Sequence, residues 1–339
     1  MLTLTALLVA ASTATPIPDV VTTKYKVYRR WEFTLPNETW MPVGEGLSFA
    51  GLGDEPFATR LDGTALLIDG DGDGLPDLRI ASEDTEKGAT PLVVLKNGED
   101  GARRAIRLSD RGGWHFGPAG AVVGEFNGVL FKVIDQDCDG RFDGIGKDAL
   151  VVGRGESAAY LSEVVTVGDE LFRLEVAEDG SELRFSSFEG ESGVLDVHDG
   201  YQTDGKLQRF VVRDLSGRYS FDLGKASDGL RVPVGAYRLE DARVVLGKGE
   251  VEVTRGKLAP MDVEADEDFV LEWGGPLEAT FDYARQGAAV QFRPDQVWYR
   301  GFAGEIYAGW DPRGESPKFT VKAKETGEVL VDAIFPGSS

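Results

Sequence analysis

Two short runs carry the chemistry of this chain. IDGDGDGLPD (68–77) and IDQDCDGRFD (134–143) place aspartates at the same offsets. Counted from the first aspartate, positions 1, 3 and 5 are Asp69, Asp71 and Asp73 in one run, and Asp135, Asp137 and Asp139 in the other. Position 6 is Gly74 or Gly140, and position 9 is Asp77 or Asp143. Four carboxylates this close repel one another and resist joint ionisation unless a cation neutralises them. Calcium takes six to eight oxygens at about 2.3–2.6 Å, and carboxylates on alternate residues of a tight loop can converge on one such ion. Glycine at position 6 permits the turn that brings the position 7 carbonyl, Leu75 or Arg141, to the metal. The metal set read from sequence is thus Asp69, Asp71, Asp73, Leu75 and Asp77 for one calcium ion. For a second it is Asp135, Asp137, Asp139, Arg141 and Asp143.

The pattern D-x-D-x-D-G-x-x-D resembles the calcium loops of EF-hands, dockerins, thrombospondin type 3 repeats and integrin-type β-propellers, over the loop alone. The acidic residue that the EF-hand carries at position 12 is replaced by Ile80 and Gly146. The flanks TALLID (64–69), LRIA (78–81), VLFKVID (129–135) and DALVV (148–152) read as strands, so a strand–loop–strand site is expected in place of helix–loop–helix. Without a bidentate glutamate the resemblance implies water ligands and weak binding, roughly 10⁻⁴–10⁻³ M, suited to millimolar extracellular calcium. Magnesium fits less well because it gives up its water reluctantly. Asp148 either supports the second site or is a solvated loop acid.

Other reactive residues are few. Cys138, the single cysteine, sits at position 4 of the second loop, turned from the metal, where neighbouring carboxylates would raise its pKa. His115 and His198 show no zinc-ligand spacing, and no G-x-S-x-G elbow or P-loop appears. DVEADED (262–268) puts Asp262, Glu264, Asp266 and Asp268 on one strand face, as a further cation site or, more simply, a solvated edge. NET (37–39) is a glycosylation sequon, relevant in a eukaryotic host. Trp298, Tyr299, Phe302, Tyr307 and Trp310 crowd one stretch; most read as core, with Trp310 the candidate for an exposed sugar platform.

Strands must position these loops. The chain has 339 residues, 42% of them hydrophobic, and 44 glycines that punctuate many short segments. Alternation runs through 25–35, 170–188, 217–223, 249–256 and 318–335, with EDG (178–180) and ETG (325–327) at hairpin turns. Helical periodicity is nearly absent. The expectation is an all-β chain of several β-sandwich-like domains. A β-rich calcium-binding unit spans 24–165, and a second unit spans 166–258. In the latter, GLRVPVGAYRL (229–239) resembles a strand entry of transthyretin-like and carboxypeptidase-regulatory-type sandwiches. A third unit spans 261–337, where six strands suggest an immunoglobulin-like sandwich.

A net charge of −22 argues against nucleic acid and anionic lipid as partners. Residues 1–14 read as a signal peptide, with a buried N-terminal strand as the other reading, and no later stretch reaches the ~20 apolar residues of a membrane span. The leading functional reading is an exported protein (secreted, periplasmic or cell-surface) that is not an enzyme. Two calcium ions would clamp its fold, and its sandwiches would serve structure, adhesion or binding of a glycan or protein ligand. The alternative is an extracellular, carbohydrate-active hydrolase with structural calcium.

Overall fold

The computed structural model describes residues 18–97, 101–287, 289–308 and 318–334. The 1–14 segment and Trp310 lie outside them. Among the described residues the fold is all-β, and the one helical element is a 3₁₀ turn at Ser82–Gly88. The hairpins at EDG and ETG are present: Glu170–Val176 pairs with Glu182–Ser187, and Lys318–Lys322 with Val329–Ile334, all antiparallel. Gly180 and Gly327, at φ +74° and +71°, make these turns, a conformation glycine adopts without steric cost.

The first aspartate run belongs to a pair of facing four-stranded sheets. One holds Gly46–Leu47, Phe57–Asp62, Ala65–Ile68 and Leu78–Ile80; the other holds Met41–Pro42, Trp114–Pro118, Arg103–Asp110 and Leu92–Lys96. Leu47, Phe57, Leu66, Ile68, Leu95, Ile106 and Leu108 fill the space between.

The second run belongs to a central five-stranded sheet ordered Ala159–Tyr160, Ala149–Val152, Val129–Ile134, Gly120–Phe126, Lys24–Val27. Its inner face packs on a sheet of Asp19–Thr22, Glu182–Ser187, Glu170–Val176 and Val164–Val167. Val122, Phe131 and Val133 meet Leu174, Leu183 and Phe185 there. Its outer face is covered by Phe33 and Leu35, with Tyr28 and Trp31 beside them. Because both faces are buried, Val129–Ile134 reads as a near-continuous apolar run rather than an alternating one.

The C-terminal part is organised around Lys206–Asp214, Gly235–Leu246 and Gly249–Thr254, antiparallel neighbours in one large sheet. Fully buried Phe210, Tyr237 and Trp273 anchor its core. The Tyr237 hydroxyl donates to the Pro233 carbonyl at 2.8 Å.

Packing is continuous across the boundaries expected at 165/166 and 258/261. Val165 shares a core with Leu174 and Phe185. Met261, Val263 and Trp273 share one with Phe210 and Leu239. Asp268–Val270 runs parallel to Ser192–Asp196, and Ile306–Ala308 adds to Gly249–Thr254. Arg209, buried and ion-paired with Asp241, also donates to the Thr34 carbonyl and Ser157 Oγ, both at 2.8 Å. That side chain joins the C-terminal sheet to the bridged Thr34 and Ser157 segments beside the central one.

Candidate metal centres

Both runs fold as strand–loop–strand. Ile68 pairs with Leu78 across the first loop, and Ile134 with Ala149 across the second. The two loops follow one backbone path. Positions 4 and 6 have positive φ in each: Gly72 (+80°) and Gly74 (+85°), Cys138 (+56°) and Gly140 (+89°). In each, the first aspartate turns inward and caps the loop's own amides. Asp69 accepts from Gly72 N–H at 2.8 Å and Gly74 N–H at 2.9 Å. Asp135 accepts from Asp139 N–H at 3.1 Å and Gly140 N–H at 2.9 Å. Position 5 accepts from the position 7 amide, Asp73 from Leu75 at 2.7 Å and Asp139 from Arg141 at 2.8 Å. Each bond uses one lone pair of a carboxylate oxygen and leaves another available for a cation.

The loops differ in which carboxylates meet. In the first, Asp69, Asp71 and Asp73 bring ligand oxygens within 4.8 Å of one another. Asp77 instead accepts the Gly70 N–H through Oδ1 at 2.7 Å, closing the loop's neck. In the second, the group within 4.8 Å is Asp135, Asp137 and Asp148. Asp148 comes from beyond the run, at the start of the returning strand, and is almost fully buried. It accepts from Gly144 N–H at 2.9 Å and Gln136 N–H at 3.3 Å. Asp139 is outside that group, and Asp143 pairs with the Arg141 side chain at 3.2 Å. The position 7 residues, Leu75 and Arg141, are solvent-exposed. Among the described residues these two groups are the ones that could hold a metal; Asp262, Glu264, Asp266 and Asp268 do not form a third.

The carboxylates of the second group cannot all ionise together without a neutralising partner, either protons or a cation. Two like charges about 4.8 Å apart repel by roughly 3–4 kcal/mol at an effective dielectric of about 20. Burial pushes the Asp135 carboxyl up to about 7, and Asp139 and Asp137 add to the shift, against the Gly140 amide. Burial pushes Asp148 up to about 8, with Asp135 the next cause. A divalent ion of hard, oxygen-seeking character would supply the missing charge, and the donor set present is all oxygen.

The second loop is also a seam between two cores. Cys138 lies in the core of the first sheet pair with Phe49 and Phe116, while Phe142 lies in the central core. Asp139 accepts the Ala50 amide at 2.9 Å through its carbonyl. Arg104 donates to the Gly140 carbonyl at 2.9 Å, with its guanidinium 4.8 Å from the Phe142 ring centroid. Burial, then Asp135 and Asp137, push the Cys138 thiol well up, which leaves it a packing residue and a poor nucleophile. The signal for Asp148 was present in the sequence as an acid at the start of a strand, but only the register of that strand brings it back to Asp135.

The remaining candidates have structural partners. A ring nitrogen of His198 lies 3.0 Å from the Leu223 carbonyl, and one of His115 lies 2.7 Å from Gly113 O. Tyr307 is buried, Trp298 and Tyr299 are half-buried, and Phe302 is exposed. No helix among the described residues is long and apolar enough to cross a membrane.

Fold and sites together define an all-β chain with two acidic clusters on strand–loop–strand hairpins, each able to hold a metal ion. No protein-family model matches the chain, and neither does any curated protein or solved structure.

Proposed function

We propose that the protein is an exported, non-enzymatic, calcium-binding protein, with a structural or ligand-binding role for its β-sheets and calcium as a clamp. The observation that carries this reading is the common path of the two loops. Positive φ at positions 4 and 6, and carboxylate bonds to the amides of positions 6 and 7, recur at equivalent places 66 residues apart, and each loop carries a three-carboxylate group. Calcium fits the all-oxygen donor set and the loop geometry better than zinc, which takes nitrogen and sulfur, or magnesium. The second loop contributes to two cores at once, so an ion there would hold the first sheet pair against the central sheet. Weak sites of this kind would fill at millimolar calcium, which supports a place outside the cytosol.

Calorimetric titration with calcium tests the reading. Two ions are expected to bind, and Asp71→Asn with Asp137→Asn removes most of the calcium-dependent rise in melting temperature. Identical melting in calcium and in chelator would refute it.

A further inference from the structure

We propose that a basic track over the segments that cover the central sheet, from the notch at Trp31 to the notch at Thr34, binds an acidic glycan, a sugar chain bearing carboxylate or sulfate groups. This deepens the binding-protein reading and rests on its ligand-binding half. The chain carries a net charge of −22, so any concentration of unpaired cations runs against its composition. Two cation-rich clusters exist, and they adjoin; in the first, Arg30 pairs with Glu32 and Arg107 with Glu38, while Arg29 and Arg111 form no ion pair with a described acid.

The first is a notch of about 530 Å³ lined by Arg29, Arg30, Arg107 and Arg111 against a single acid, Glu38. Arginine and tryptophan alternate in its wall. Arg107 lies 4.2 Å from the Trp31 ring centroid and 4.9 Å from that of Trp40, and Arg111 lies 4.4 Å from Trp40. Arg107 is buried and already bonded, so it serves to hold the two tryptophans, while Arg111, over Trp40, keeps a guanidinium edge that can meet an oxyanion, the planar fork that suits carboxylate and sulfate. Arg107 is held further by Glu38 and the Pro118 carbonyl. Arg111 uses its Nε on Ser109, and its terminal nitrogens bond no described residue.

The second notch, about 890 Å³, is lined by Arg154, Lys206, Arg209, Lys225 and Arg243 against Glu156. Asp241 pairs with Arg209, and Glu250 and Glu252 with Arg243. Arg154, Lys206 and Lys225 form no ion pair with a described acid and are exposed. Between the notches Lys26 is exposed and lies 4.9 Å from the Tyr28 ring centroid; Lys132, 5.3 Å from the Phe33 centroid, is buried and donates to the Gly155 carbonyl at 2.8 Å. Trp31 lines one notch and Thr34 the other, three residues apart, or at most about 11 Å of extended chain. One linear polyanion can therefore reach both.

The chemistry of the walls selects a glycan among polyanions. Single-stranded nucleic acid needs free aromatic faces for its bases, and here guanidiniums lie over Trp31 and Trp40. A peptide strand needs a free sheet edge, and the edge strand beside the first notch is Met41–Pro42, two residues with one amide missing.

The test is binding of the full chain to immobilised polymers in saturating calcium at low salt: polygalacturonate for carboxylate, dextran sulfate for sulfate, with neutral dextran, polyglutamate and a single-stranded oligonucleotide alongside. One or both acidic glycans are expected to bind, with affinity falling steeply as salt rises. Arg29→Glu with Arg111→Glu, and separately Arg154→Glu with Lys225→Glu, should each weaken binding at least about tenfold with melting unchanged. Asp71→Asn with Asp137→Asn should leave binding in place, which separates the track from bridging through loop calcium. The proposal is overturned by absence of acidic-glycan binding, by insensitivity to both reversals, or by polyglutamate or oligonucleotide binding equally well. Release of new sugar ends would refute the non-enzymatic reading and leave the track standing.

Discussion

Replacing Asp148 with asparagine isolates the one carboxylate of the two candidate metal groups that the nine-residue pattern does not contain. Asparagine keeps the shape but has one acceptor oxygen, so it can serve Gly144 or Gln136 and not both, a loss of about 1 kcal/mol. It also removes a like charge from a group within 4.8 Å, worth roughly 3–4 kcal/mol per ionised pair at an effective dielectric of about 20. In chelator at pH 8 the variant should therefore melt no lower than the parent. In calcium at ten times Kd, a filled site adds about 1.4 kcal/mol. For a cooperative chain of 339 residues that is about 2 °C, and the variant should lose it. Scanning calorimetry in calcium and in chelator, with titration for stoichiometry, reads both effects; two bound ions should become one. Asp139→Asn, whose side chain serves the Arg141 amide outside the cluster, should retain more of the calcium increment. An Asp148→Asn variant that keeps two ions and the full increment would refute the assignment.

The same cluster sets a pH dependence. Asp135 and Asp148, raised to about 7 and about 8, hold protons in the folded calcium-free chain that the unfolded chain releases near pH 4. Calcium-free stability from these groups is therefore present below about pH 4 and is lost as pH rises to about 8. Calcium binding must expel the protons, so its increment should be larger at pH 8 than at pH 5, and equal increments would contradict this. Gly140→Ala should be severe, at least about 2 kcal/mol, because a Cβ there would lie 2.1 Å from Ala50 N and 2.6 Å from Phe49 C, backbone that cannot yield. Gly74→Ala meets open space and should cost only the positive φ, about 1–2 kcal/mol, on the same thermal scan. Cys138 should resist thiol reagents in the native protein and react faster once calcium is chelated; rapid labelling in saturating calcium would show the loop is not docked.

Much of the site was legible because loop chemistry is local. Alternate carboxylates and a glycine at position 6 constrain the chain within nine residues, and the apolar flanks ALLI and VLFKVI specify strands before any partner is known. The all-β class follows likewise from alternation and glycine punctuation.

What the sequence by itself determined is therefore the class of fold, the two acidic loops and their setting between strands. Tertiary structure alone decided that Asp148 replaces Asp139 beside Asp135 and Asp137, because strand register fixes which residue returns to the loop. It also decided that Cys138 and Phe142 reach into different cores, and that Arg107 and Arg111 lie over Trp31 and Trp40, far from them in sequence. The physical reason is common to all three. A local pattern fixes which backbone conformations a segment can adopt, whereas contact between segments far apart in sequence depends on how whole sheets pair and pack.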